Sequence, residues 1–209
     1  LLYPINQEIK DLESIDLNKY YNRRIGNFGI DIGEIPTNIK VNENFLKLIG
    51  YYIAEGSNHR AYIRFSLGNH EESFAQEIKK LVEDIFKVKT AIHRRKKIGK
   101  TGIEITACNS KLSNIFENLC GKGSDNKHIP FDFQCLPIEK QRTLLEAIFK
   151  GDGYTGKVAG CKNERKYRSI STISLILSEQ LRDILLRLGI TPSISSEKEK
   201  VDKKGEKVL

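Results

Sequence analysis

Two acids stand immediately before glycines at the ends of apolar stretches: Glu55 closes Leu48-Ile49-Gly50-Tyr51-Tyr52-Ile53-Ala54-Glu55-Gly56, and Asp152 closes Leu145-Glu146-Ala147-Ile148-Phe149-Lys150-Gly151-Asp152-Gly153. Each stretch also carries two small residues four apart, Gly50 and Ala54 in the first, Ala147 and Gly151 in the second. On a helix such pairs share one face, one turn apart, and let two backbones approach closely. If the helices cross at that face, Glu55 and Asp152 meet although 97 positions separate them. Two carboxylates in one small volume repel each other unless a cation lies between them, and hard oxygen donors with room for water suit Mg²⁺ or another divalent cation such as Mn²⁺. The plainer alternative is that both glycines are ordinary helix terminators and the acids are merely solvated. The recurrence of acid, glycine and small-residue spacing argues for the first reading.

A divalent site on a basic chain has an economical use in phosphodiester hydrolysis, where such ions stabilise attacking and leaving oxygens and activate water. Two acids near a two-fold axis can also serve two scissile phosphates, one on each strand of a duplex. Lys127, just ahead of Ile129-Pro130, stands at the junction after the first repeat. A lysine near the attacking water could orient or polarise it, or stabilise charge on the phosphorane; a surface lysine in a loop is the alternative. His59, His70, His93 and His128 show no H-x-x-x-H spacing, so none is expected as a ligand.

The chain carries a formal charge of +8 and its sequence pI is 9.2, which favours a polyanionic partner, most simply nucleic acid. At 209 residues and 39% hydrophobic content it can bury a core as one domain or two. No apolar run approaches the roughly 18 residues of a membrane span, and the charged N-terminus does not read as a signal peptide, so an intracellular, cytoplasmic setting is expected. Cys108, Cys120, Cys135 and Cys161 form no C-x-x-C pair and read as free thiols. The first residue is Leu and Met is absent, so the numbering is expected to start inside a longer product.

The elements that must position the acids follow from periodicity. Residues 1–42 are mixed in character and read as an irregular arm. From Asn42 the spacing of Phe45, Leu48, Ile49 and Tyr52 predicts a helix, with Asn42 or Asn44 as its cap and Gly56-Ser57-Asn58 as its stop. Tyr62 to Leu67 alternates as a half-buried strand, Glu71 to Phe86 is an amphipathic helix, and Lys87 to Asn109 reads as a hairpin turning at Gly99-Lys100-Thr101-Gly102. A short helix over Leu112 to Cys120 closes the unit. The order then repeats: a helix with Leu144, Leu145, Ile148 and Phe149, two strands within Tyr154 to Ser174 around a basic loop, a helix from Ser178 to Leu188, a strand from Thr191 to Lys198, and a turn at Lys203-Lys204-Gly205-Glu206. Helix, strands, helix, hairpin, helix thus recurs with a period near 97 residues, with a last strand and helix expected beyond residue 209. This fits a duplicated domain about a pseudo-two-fold axis rather than a solenoid.

Because the apolar strand faces must cover the helices, the polar faces are left for DNA. Tyr62, Arg64 and Ser66, the run His93, Arg94, Arg95, Lys96 and Lys97, and Lys157, Lys162, Arg165, Lys166 and Arg168 are the candidates. A two-stranded ribbon fits the major groove, where Arg reads guanine bidentately. Charge runs at hairpin tips are also commonly just solvated.

Leu48 to Gly56, Leu145 to Gly153, Asn126-Lys127-His128-Ile129-Pro130 and the Ser178 to Gly189 segment together resemble the LAGLIDADG (dodecapeptide, DOD-type) homing endonucleases, in the two-motif form associated with inteins. The resemblance covers roughly residues 35–209. It implies an α+β fold in which an αββαββα unit is repeated with pseudo-two-fold symmetry, the motif helices packed at the seam beneath saddle-shaped antiparallel sheets. Residues 1–42 would be an N-terminal arm, 43–125 the first half and 126–209 a second half that stops short. It further implies a monomer that cleaves both strands of a long double-stranded DNA target in an Mg²⁺-dependent reaction across the minor groove, leaving staggered ends. Carried over by position, Glu55 and Asp152 are the metal-binding acids and Lys127 is the active-site lysine of the first half. Glu55 departs from the commoner Asp, a longer arm that still ligates metal but alters the symmetry. No N-terminal Cys or Ser and no C-terminal His-Asn is present, so the chain reads as the endonuclease portion of an intein, an excised fragment of one, or a freestanding relative. The rival function is a nucleic-acid-binding module of the same fold without nuclease activity, such as an RNA maturase or a regulator; the presence of both acids argues for the enzyme.

Overall fold

The computed structural model of the chain describes residues 9–22, 34–97, 100–157 and 166–196, with the backbone alone at Lys96, Lys97 and Lys100. Ile15, Leu17, Ile35, Ile39 and Val41 are buried in the main core, so the described parts of the segment expected as an irregular arm, residues 9–22 and 34–42, pack into the fold. Strand β1 (Ser14–Asp16) pairs antiparallel with β2 (Asn38–Lys40), Ile15 facing Ile39, and a 3-10 turn over Leu17–Tyr20 follows β1. Strands of three residues are too short for alternation to announce them.

Helix α1 (Glu43–Glu55) begins where the Asn42 side chain accepts a hydrogen bond from the Phe45 amide at 3.1 Å, which makes Asn42 rather than Asn44 the N-cap. From Phe45 to Ile53 every residue but Lys47 is buried, so this helix is the centre of the molecule rather than an amphipathic cover. Strand β3 (Gly56–His59) starts at the next residue, where a loop is expected. It pairs antiparallel with β4 (Tyr62–Leu67), which buries Ile63, Phe65 and Leu67 as the alternation predicts. Helix α2 (Glu72–Phe86) lays Phe74, Ile78, Leu81 and Val82 into the core. The hairpin of β5 (Thr90–Lys97) and β6 (Lys100–Cys108) completes a four-stranded antiparallel sheet in the order β3-β4-β6-β5. Lys97 pairs with Lys100, so the reversal comes earlier than expected and Gly102 lies within β6. Helix α3 (Ser110–Cys120), capped by Asn109, closes the first half. Edge-to-face contacts among Phe45, Tyr52, Phe65, Phe86 and Phe116 fill the space between sheet and helices.

A short helix α4 (Phe131–Gln134) leads to α5 (Ile138–Asp152), which lies along α1. Strands β7 (Gly153–Lys157) and β8 (Lys166–Ile170) pair antiparallel, and α6 (Leu175–Arg187) buries Leu177, Leu181 and Ile184. The order α1-β3-β4-α2 thus repeats as α5-β7-β8-α6, and the chain is α+β. Helix α6 starts three residues before the expected Ser178, because the Ser174 hydroxyl caps it by accepting from the Leu177 amide at 3.2 Å. Thr191 to Ser196 is not a strand; the turn expected at 203–206 lies outside the described residues.

Candidate active site at the helix seam

The small residues let α1 and α5 touch backbone to backbone. A Cβ placed on Gly50 would lie 2.5 Å from the Ala147 Cβ and 2.9 Å from the Leu144 carbonyl oxygen; one on Gly151 would lie 2.5 Å from the Ala54 Cβ. Gly50 therefore faces Ala147 and Ala54 faces Gly151, the crossing that the four-residue spacing predicts. Both helices end in glycines at ordinary backbone angles, φ −81° at Gly56 and −84° at Gly153. What requires glycine there is space: a Cβ on Gly56 would strike the carbonyl and ring of Tyr52, and one on Gly153 those of Phe149.

This crossing brings Glu55 and Asp152 together at the C-terminal ends of the two helices. The Glu55 side chain lies against Gly151, its Cγ 3.0 Å from where a Cβ there would be. Burial pushes the Glu55 carboxyl up to about 7, and the neighbouring charges of Asp152 and Glu71 add to the rise. Asp152, open to solvent on one side, is raised to about 6 by desolvation, against which the positive charge of Lys127 works. Lys127 is 6% exposed and is no surface lysine. Its ammonium donates to the Tyr52 carbonyl at 2.7 Å, at the end of α1 where the helix dipole favours a cation, and lies 3.6 Å from the centre of the Tyr52 ring. Burial lowers its pKa to about 8, while Cys120 and Asp152 pull the other way. Cys108 and Cys120 carry free thiols, Cys120 fully buried and pushed up to about 12 by desolvation; Cys161 lies outside the described residues.

The donor set fits a hard divalent cation. Two carboxylates held above their ordinary range by burial, Glu55 also by the charge of Asp152, gain most from a positive charge between them. Among the described residues no group of three or more His, Cys, Asp or Glu side chains could hold a metal ion, so a bound cation would complete its coordination with water or substrate oxygens.

The sheet register sorts the other candidates. Opposed residues on paired strands share a face, and successive residues alternate. Tyr62, Arg64, Ser66, His93 and Arg95 lie on the face away from the helices, whereas Arg94 sits with Ile92 and Ile103 on the helix side and makes a two-point ion pair to Glu72 of α2, at 3.2 and 2.6 Å. The side chains of Lys96 and Lys97 lie outside the described residues. Arg64 and Arg95 converge on Glu104, at 3.3 and 2.5 Å, so neither presents a full charge to solvent. In the second sheet the outer face holds Tyr154, Gly156, Tyr167 and Ser169, while Lys157, Lys166 and Arg168 are on the opposite face. Arg168 pairs with Glu146 at 3.0 and 2.7 Å and stacks 3.6 Å over Phe149 of α5. Lys162 and Arg165 lie outside the described residues.

Several outer-face residues went unread in the sequence. Ser57 and His59 belong to the unexpected strand β3, and the His59 ring stacks on Tyr62 at 5.1 Å. Tyr154 and Tyr167 are 61% and 46% exposed with rings 6.1 Å apart, and Tyr167 occupies the register position that Tyr62 holds in the first sheet. Strand parity counted from Gly56 and Gly153 would have found them.

This duplicated fold about a crossed helix pair defines a class. The family model described as LAGLIDADG-like domain matches residues 42–121 and again 139–209, and the chain belongs to that family. The uncharacterized protein MJ0043 of Methanocaldococcus jannaschii is 31% identical over 211 residues, covering 99% of this chain and 24% of its own length. The ATP-dependent DNA helicase Hel308 of Thermococcus kodakarensis is 30% identical over 207 residues, 93% of this chain and 18% of the helicase. The chain therefore spans a quarter or less of the length of either relative. Among solved structures, the homing endonuclease I-WcaI bound to its DNA recognition sequence is similar at a TM-score of 0.50 and 17% identity, over 75% of this chain and 72% of that one; the likeness is one of fold. No helix among the described residues is long and apolar enough to cross a membrane.

Proposed function

We propose that the chain is a sequence-specific, divalent-metal-dependent endonuclease that cuts both strands of double-stranded DNA. The observation that carries the reading is the meeting of Glu55 and Asp152 at the seam, with the buried Lys127 ammonium held at the end of α1 and in electrostatic reach of Asp152. Glu55 and Asp152 would hold Mg²⁺ or Mn²⁺, which supplies positive charge for the attacking and leaving oxygens. Lys127, with a pKa near 8, is poised to orient and polarise the attacking water or to offer positive charge to the phosphorane. The pseudo-two-fold axis through the helix pair suits two scissile phosphates on opposite strands. Tyr62, Arg64, Ser66, His93, Arg95 and the aromatic pair Tyr154 and Tyr167 form the outer sheet faces that would meet DNA.

The setting we propose is a homing element carried inside a host gene. Support comes from the relatives: nearly the whole chain aligns with a small fraction of a DNA helicase and of a second long protein, as an inserted module would.

The test is incubation with plasmid carrying the uninterrupted insertion site of the host allele. Cleavage that requires Mg²⁺ or Mn²⁺ and is lost with EDTA is the expected result. Tight, specific binding without cleavage under any divalent ion would overturn the nuclease reading in favour of a binding protein of the same fold.

A further inference from the structure

Lys127 is held at both ends, and the two ends are held by different halves of the molecule. Its ammonium is fixed by α1, through the Tyr52 carbonyl and ring. Its backbone is fixed largely by α6. The buried Ser174 hydroxyl donates to the Lys127 carbonyl at 2.6 Å while also capping that helix. One turn and a half further on, the Gln180 amide meets the peptide of Ile129 at two points: the Ile129 amide donates to Gln180 Oε1 at 2.7 Å, and Gln180 Nε2 donates to the Ile129 carbonyl at 3.0 Å. Ile129 itself is fully buried, and Gln134 of α4 donates to the same carbonyl at 3.2 Å. From the first half the segment receives one backbone bond, the His128 amide donating to the Cys120 carbonyl at 3.1 Å.

A lysine side chain has four soft torsions, so a fixed ammonium needs a fixed Cα. The paired amide–peptide bonds of Gln180 replace the ladder that a neighbouring strand would give, in a stretch that belongs to no sheet. Helix α6 makes no other demand for a glutamine there: Gln180 is half-exposed on a helix surface where most residues would serve.

We infer that Gln180 and Ser174 are positioning residues for Lys127, so that the lysine takes its working place only when α6 of the second half is docked against residues 127–129. The inference rests on the reading of Lys127 given above for its catalytic consequence, but not for its structural one.

Gln180→Ala keeps a good helix former on an accessible face and is the variant of choice. In single-turnover cleavage at saturating protein, its rate is expected to fall about tenfold while the DNA Kd changes by less than about twofold. In a double-mutant cycle the loss should vanish: Lys127→Met with Gln180→Ala should be no slower than Lys127→Met alone. Ser174→Thr, which keeps the hydroxyl, should retain the rate that Ser174→Ala loses. Independently of cleavage, acetic anhydride labelling read by mass spectrometry should find Lys127 protected in the native chain and labelled several-fold faster in Gln180→Ala, with surface Lys122 unchanged. Unchanged labelling of Lys127, or rate losses that multiply in the double variant, would overturn the inference. Should the native protein cut no DNA while the labelling behaves as expected, the endonuclease reading falls and the positioning of Lys127 stands.

Discussion

Glu55 and Asp152 are the residues on which the functional reading turns, and their electrostatics can be tested apart from any substrate. A carboxyl whose folded value lies above its unfolded one favours folding at low pH, and that contribution is lost as pH rises. For Glu55 the loss runs between 4.5 and about 7, and for Asp152 between 3.8 and about 6. Glu55→Gln should therefore be more stable than the native chain at pH 8 and should lose that advantage by pH 5, measured as the difference in Tm in EDTA. Adding Mg²⁺ at pH 8 should raise the Tm of the native chain and leave that of the variant nearly unmoved. Asp152→Asn is expected to abolish cleavage with DNA binding largely intact; an equal loss of binding would make the residue structural. The acids were legible because each is marked by a following glycine and by its twin 97 positions away. Lys127 was legible as a position only, since its burial depends on Tyr52 and Ser174, which nothing local in sequence connects to it.

Among the elements, the helix pair and the strand faces carry separate predictions. Gly50→Val would drive a branched side chain into Ala147 and the Leu144 carbonyl, prying α1 from α5, and should cost about 2–3 kcal/mol in urea denaturation. On the sheets, neighbours should behave as opposites. Tyr167→Ala should weaken target binding by about 1 kcal/mol, near fivefold, with little change in Tm. Arg168→Ala should lose an exposed ion pair and a cation–π contact, about 1 kcal/mol of stability, and leave the Kd nearly unchanged. The stretch His93 to Lys97 is legible only as a charge run, and a run is blind to parity: one register step separates Arg95 on the outer face from Arg94 bound to α2. The helices were legible from their apolar spacing, and β3 was not, because Gly56-Ser57-Asn58-His59 looks like a turn and becomes a strand only by pairing with β4.

For the whole molecule, the N-terminal segment around β1 packs against both halves. The Lys10 backbone amide donates to the Cys135 carbonyl at 2.9 Å, the Lys140 ammonium of α5 reaches Asp11 at 2.6 Å, and Leu17 is fully buried in the common core. Leu17→Ala should cost about 3 kcal/mol and lower the Tm by several degrees. Arg64, Arg94, Arg95 and Arg168 all face glutamates, whose charges are already subtracted in the net of +8. Both acids, finally, are the last residues of helices whose next residue begins a sheet. Helix and strand are contiguous at both places, so in the proposed nuclease each strand would act as a lever whose short arm ends at the carboxylate. On that reading, a DNA that seats poorly would tilt the strand and with it the acid. Misfit would then be felt in the turnover step more than in occupancy, and imperfect sites would be held but cut slowly.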